Sequence, residues 1–130
     1  MTKDLLKKSG YSEKAIEYFL NKLHVGSLQN PSVEYSYKGH CGDTMKIFLK
    51  INSDIITEAS FEAIGCAGAY SAGSALIELI KGKHINVAEK ITEADIIEHL
   101  GDIPPSKADC IVLVKKTFEK TLDHYLNNNQ

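Results

Sequence analysis

Two alternating runs, separated by only three residues, constrain this chain more than any other feature. Met45, Ile47, Leu49 and Ile51 alternate with Thr44, Lys46, Phe48 and Lys50, the period-two pattern of a half-buried strand. Asn52-Ser53-Asp54 supplies turn residues, and Ile55 to Ile64 reads as a returning strand. On that strand Ala59, Phe61 and Ala63 face one side while Glu58, Ser60 and Glu62 face the other. So short a link joins strands only in the antiparallel sense. Val33, Tyr35 and Tyr37 also alternate with polar neighbours and add a first strand. The expectation is a three-stranded antiparallel meander with one covered face.

Helical segments on both sides of the meander supply the cover. Ser12 is a good N-cap, and Ile16, Phe19, Leu20 and Leu23 recur at helical spacing while Glu13, Lys14, Glu17 and Lys22 face water. Gly65-Cys66-Ala67-Gly68-Ala69 opens a helix rich in Ala, Gly and Ser that stops at Gly82. Its glycines lower intrinsic helix stability but permit close backbone approach. Thr92-Glu93-Ala94-Asp95 has the form of a capping box. Pro104-Pro105 marks a rigid extended link, after which Ser106 and Asp109 read as a capping box for a last helix. Cys110, Val114, Phe118, Leu122 and Tyr125 lie along one stripe of it. The fold class is therefore α+β, a sheet covered by helices in two layers. At 130 residues the chain supports one domain, residues 1–130, burying about two-thirds of the surface it exposes when unfolded. Residues 1–10 and 127–130 are expected to fray.

Net charge is -2, which gives the chain as a whole no attraction for nucleic acid or acidic membrane. No apolar run is clean and long enough to span a bilayer, and the first residues lack the apolar stretch of a signal peptide, so the expected compartment is the cytoplasm. Three cysteines is an odd number for a disulfide framework, and a cytosolic protein would keep them reduced. Two readings remain open on that count: three buried, inert thiols, or a metal site.

The neighbours of each cysteine favour the second. Cys66 opens a helix, where unpaired N–H groups and the helix dipole stabilise a thiolate. Cys110 falls in the first turn of the last helix, so the same effect is expected there more weakly, although it also fits the apolar stripe. Cys41 precedes Gly42, which lets the backbone turn tightly and expose the sulfur. Asp43 follows at the distance a tight loop needs to present both side chains to one point; a turn aspartate bonding its own backbone is the plainer alternative. Three thiolates and one carboxylate complete a four-ligand site for zinc or for an iron–sulfur cluster. An oxygen ligand holds cluster iron less firmly than a fourth thiolate, which suits a cluster that must leave.

Tyr11-Ser12-Glu13-Lys14-Ala15-Ile16, Val25-Gly26-Ser27, Cys41-Gly42-Asp43-Thr44-Met45-Lys46, Gly65-Cys66 and Pro104-Pro105-Ser106-Lys107-Ala108-Asp109-Cys110 together resemble the IscU/NifU-type iron–sulfur cluster assembly scaffolds. The resemblance runs in order from about Gly10 to Tyr125. It implies the IscU/NifU N-terminal-like fold, with Cys41, Cys66 and Cys110 as cluster ligands and Asp43 as the aspartate that makes the cluster labile. The work implied is that of a carrier rather than an enzyme. Such a carrier accepts sulfur from a cysteine desulfurase, assembles a transient [2Fe–2S] cluster, and hands it to apo iron–sulfur acceptor proteins. Apo forms of such scaffolds often hold zinc at the same site.

The chain departs from that pattern in two places. Asp109 stands where IscU members have a histidine before the last cysteine, so either Asp109 or His40 is a candidate replacement ligand. Ile103-Pro104-Pro105-Ser106-Lys107 stands for a Leu-Pro-Pro-Val-Lys chaperone-docking motif, and the polar Ser106 argues against recognition by a dedicated DnaK-like chaperone. The missing histidine is also a trait of the SufU branch, whose zinc-bound thiolate accepts persulfide sulfur; that reading makes the protein a sulfur acceptor with sulfurtransferase activity. SufU members carry an insertion between the second and third cysteines that this chain lacks, which favours the scaffold. A structural zinc-binding interaction domain is the third alternative.

Overall fold

The computed structural model describes residues 2–39, 42–101 and 103–128. At its centre the expected hairpin is formed by β2 (Thr44–Asn52) and β3 (Ile55–Ile64), with β1 (Val33–Lys38) on the other edge of β2. All pairs are antiparallel and the order is β1-β2-β3. Ser53 and Asp54 connect β2 to β3 with φ of 52° and 63°, the paired left-handed conformation whose twist suits a two-residue hairpin turn. The register runs from Asn52 opposite Ile55 to Thr44 opposite Ile64, with one irregularity at Lys50/Ile51.

Helices cover one face. α6 (Ala108–Asn128) lies against β1 and β2, and α3 (Ala67–Ile80) against β3. α3 is packed in turn by α2 (Glu13–Leu20), α5 (Glu93–Leu100) and α6. Met45, Ile47, Leu49 and Phe61 from the sheet share one fully buried cluster with Leu76, Ile77, Ile80, Val114 and Phe118. Each such side chain contributes roughly 1.5–3 kcal/mol by leaving water. α3 comes close to its neighbours because it is lined with small residues, and its buried hydroxyls find carbonyl partners. Ser71 donates to Ala15 O at 2.7 Å and Ser74 to Leu23 O at 2.7 Å, which joins α3 to α2 and to the loop after it.

The helix starts expected at Ser12 and Thr92 are present. Ser12 Oγ accepts from Ala15 N at 3.0 Å and donates to Leu100 O at 2.6 Å, so one hydroxyl caps α2 and ties it to the end of α5. Thr92 and Asp95 make the reciprocal capping box at 3.1 and 2.9 Å.

Several elements differ from expectation. The start of the chain, expected to fray, forms α1 (Thr2–Lys8). Its Leu6 packs on the core, and the N–H groups of Ser9, Gly10 and Tyr11 close its last carbonyls. At the other end α6 continues to Asn128, whose side chain reaches His124 one turn back. A short helix α4 (Ile85–Ala88) escapes periodicity because four residues carry none; His84 caps it, and Ile85 and Ala88 are buried. Only Pro104 of the proline pair is extended. Pro105 opens a 3₁₀ turn, Pro105–Lys107, a first helical position where its missing N–H costs nothing. Ser106 therefore lies inside a helical turn that runs into α6, and does not cap it. Leu20, expected on the buried stripe, is 45% exposed because α2 ends there. Phe48, placed on the polar face of β2, is instead buried, with the Lys46 ammonium 5.2 Å from its ring centroid.

The small residues of α3 are testable. A Cβ at Gly73 would lie 2.6 Å from the buried Phe61 ring, which has no free end to swing away. Gly73→Val is expected to lower stability by about 2–3 kcal/mol through overpacking, against a gain of only a few tenths from helix propensity. A urea melt with an unchanged midpoint would show that the ring yields.

Candidate metal centre

The centre follows from the sheet register. Because Thr44 opposes Ile64, Asp43 and Gly65 meet just beyond the last pair, one residue before Cys66. The loop entering β2 is closed by Gly42 N–H to Gly39 O at 3.0 Å and Gly39 N–H to Asp43 O at 2.9 Å. Gly42 has φ +93°, which lets the chain turn sharply enough to deliver Asp43 to the sheet end. The Asp43 carboxylate turns towards Cys66 rather than back on its own turn, with Oδ2 3.7 Å from Cys66 Sγ.

Cys66 is the N-cap of α3, with φ -85° and ψ 175°, and its sulfur lies beside the Gly68 and Ala69 N–H groups of the first turn. Cys110, in the first turn of α6, comes to it across the α3–α6 contact. The two sulfurs are 3.4 Å apart. Gly68 makes that approach possible, since a Cβ there would sit 3.0 Å from Cys110 Sγ and 3.3 Å from the Tyr11 hydroxyl. Asp43, Cys66 and Cys110 each offer one ligand atom, and these atoms all lie within 4.8 Å of one another.

The two thiols are not equivalent. The Cys66 thiol is pulled down to about 6. The hydrogen bond from Cys110 is the main cause, helped by the Ala69 N–H, the Lys107 ammonium and the Gly68 N–H, and opposed by burial. Cys110 is pushed up, first by that same hydrogen bond, then by burial and by the negative charges on Cys66 and Asp43. Cys66 thus carries the charge and Cys110 the proton. The thiolate expected at Cys110 from its place in a first helical turn is overruled, because a buried sulfur beside an existing anion does not ionise. Tyr11 is pushed up to about 12 by burial and by the two sulfurs, so its hydroxyl stays protonated beside them.

The donor set fits a metal. Two sulfurs on one tetrahedral zinc, each about 2.3 Å from it, stand about 3.8 Å apart; the observed 3.4 and 3.7 Å separations are within a small side-chain adjustment of that. Of the other expected ligands, Cys41 and His40 lie outside the described residues. Asp109 is exposed on the first turn of α6 and is not in the converging group. Sequence reasoning did not assign Lys107 or Tyr11 to the site. Lys107 was discoverable, since it precedes Cys110 by three residues and so shares its helical face. Tyr11 had no local signal, because only the packing of α3 brings it near.

Comparison with known proteins follows the same lines. Residues 10–130 match the NifU-like N terminal domain. The chain is 37% identical over 119 residues to the iron–sulfur cluster assembly scaffold protein IscU of Aquifex aeolicus (strain VF5), covering 89% of this chain and 76% of that protein. It is 34% identical over 125 residues to the IscU scaffold protein of Escherichia coli (strain K12), covering 92% and 97% respectively. Among solved structures, FiSufU of Fervidobacterium islandicum AW-1, described as an iron–sulfur cluster assembly scaffold protein for the SUF system, superposes with a TM-score of 0.71 at 26% identity over 86% of this chain and 96% of that one.

Two outcomes test the electrostatics. Titrating thiolate absorbance should show one group ionising near pH 6, and Cys110→Ala should move it up towards the ordinary thiol range by removing the donor; an unmoved titration would assign the effect to the helix terminus alone. Because Cys66 is depressed on folding, its stabilising contribution is complete above the ordinary thiol range and is lost as pH falls towards 6. Separately, a Cβ at Gly65 would sit 2.6 Å from Asp43 Oδ2. Gly65→Ala should therefore leave the melting temperature nearly unchanged while weakening zinc binding as much as Asp43→Ala does.

Proposed function

The chain belongs to the family of NifU-like N-terminal domains, and on that premise we propose that it is a scaffold on which an iron–sulfur cluster is assembled. The observation that carries this reading is the convergence of Asp43, Cys66 and Cys110 at one end of the sheet. Cys41, two residues before Asp43, completes the proposed ligand set. A cysteine desulfurase supplies the sulfur, a transient [2Fe–2S] cluster forms as cargo, and apo-proteins receive it. The protein turns nothing over by itself.

The residues divide the work as follows. Cys66, half-buried and already a thiolate, offers iron its first sulfur without a proton to displace. Cys110 becomes a ligand only as its proton leaves, which the positive charge of bound iron favours. Lys107 offsets part of the negative charge that builds up as both thiols ionise. Asp43 contributes an oxygen, a poorer partner than thiolate for cluster iron, so the assembled cluster keeps one weak bond. The polar, exposed Ser106 supports the expectation that a dedicated DnaK-like chaperone is not a partner.

A second reading, zinc-dependent acceptance of persulfide sulfur, rests on Asp109 standing where IscU members have a histidine. In it the same residues would hold zinc, which would keep their thiols ionised, and one of those thiolates would take the sulfur. Colour separates the two. After anaerobic incubation with ferrous iron and a sulfur source, the scaffold reading expects charge-transfer bands that are lost in Cys41→Ala and Cys66→Ala and that pass to an apo-ferredoxin. Asp43→Ala should keep the bands several-fold longer against a chelator. A protein that stays colourless and retains one tightly held zinc replaces the scaffold with the sulfur acceptor.

A further inference from the structure

The two sulfurs in hydrogen-bond contact suggest chemistry beyond ligation. We propose that Cys66 and Cys110 form a persulfide-discharging pair, which converts sulfur delivered onto Cys66 into free sulfide by closing a Cys66–Cys110 disulfide. The step rests on the scaffold reading, which supplies the persulfide donor.

Three features of the geometry support it. Cys66 is only partly buried, at the N-cap of α3, so its sulfur is open to an incoming persulfide. Cys110 is 3% exposed and approaches Cys66 from the interior, so it is shielded from that donor. Its sulfur faces Cys66 Sγ itself at 3.4 Å, which becomes the inner sulfur once a persulfide has formed. A disulfide bond is about 2.05 Å long, so the two sulfurs have about 1.4 Å to close from their 3.4 Å separation.

The step balances. The persulfide donor transfers its outer sulfur to the Cys66 thiolate and departs as a thiolate, leaving Cys66–S–S⁻. The Cys110 sulfur then bonds to Cys66 Sγ, the bond between the two persulfide sulfurs breaks, and the outer sulfur leaves as HS⁻ with the proton that Cys110 carried. The sulfane sulfur is reduced by two electrons, and the two cysteine sulfurs are oxidised by one each. A thiol reductant then reopens the disulfide by ordinary exchange, which restores both ligands before iron binds. Loading is thereby gated by the redox state of the pair.

The test uses the full chain, reduced and freed of reductant under anaerobic conditions, with stoichiometric glutathione persulfide as the probe. Wild type should release one sulfide for each disulfide formed, and peptide mapping by mass should place that disulfide between Cys66 and Cys110. Cys110→Ser should instead accumulate one added sulfur atom on Cys66 and lose the sulfide release. A persulfide that persists on wild-type Cys66, a disulfide that maps to Cys41, or undiminished sulfide from Cys110→Ser each overturns the proposal. Wild-type mapping needs no variant, so a misfolded Cys110→Ser does not obscure the result. A parallel incubation with ferrous iron and inorganic sulfide bypasses the pair. A cluster there beside an inert pair overturns the discharge step alone, and no cluster there overturns the scaffold reading.

Discussion

The register between β2 and β3 is the constraint on which the rest depends. Side chains alternate with a period of two, so a slip of one residue would turn Met45, Ile47 and Leu49 out to water and bring Lys46 and Lys50 into the core. The same slip would separate Asp43 from Gly65 and leave the carboxylate away from Cys66. Core burial and site assembly are therefore fixed by one choice of pairing. The tight Ser53-Asp54 turn starts the pairing, the irregularity at Lys50/Ile51 shifts it by one residue, and the two-sided character of the strands holds the shifted register as far as Thr44 opposite Ile64.

α3 shows how stability is exchanged for proximity. A helix of Ala, Gly and Ser has modest intrinsic stability, since each glycine costs about 1 kcal/mol relative to alanine. In return its backbone lies against Phe61 at Gly73 and against Cys110 and Tyr11 at Gly68. The first contact fills the core and the second builds the site. The serines on the same helix bond outward to α2 and its following loop, so their burial leaves no hydroxyl wanting. Because α3 begins at Cys66 itself, whatever fixes the helix axis also fixes the thiolate.

Much of this was legible in the sequence, for identifiable reasons. The meander, the Ser12 and Thr92 caps and the buried stripe of α6 are written in patterns only a few residues long, which local rules read well. The convergence of Asp43 with Cys66 was legible too, because the glycines and the helix start beside them are local features. What failed depended on how neighbours, near or distant in sequence, are folded. Ser106 looks like a cap until Pro105 is seen to be helical already. Phe48 looks solvated until the ring and Lys46 are seen folded together on the outer face. Cys110 looks like a helix-terminal thiolate until Cys66 and Asp43 arrive from other elements and make a second negative charge unwelcome.

That last conflict bears on how tightly the centre holds metal. Two unit charges 3.4 Å apart repel by about 5 kcal/mol at an effective dielectric near 20, which is why the metal-free pair keeps one proton. Binding a cation removes the repulsion and expels the proton, so metal and proton compete for Cys110. On the proposed scaffold reading, that competition would make the centre easier to empty in acid, and an Asp43 oxygen in place of a thiolate would weaken it further. A deeper pocket with a fourth thiolate would hold metal more firmly but release it less readily. Burial of Cys110 and partial exposure of Cys66 instead set the protonated sulfur inside and the charged one towards the surface.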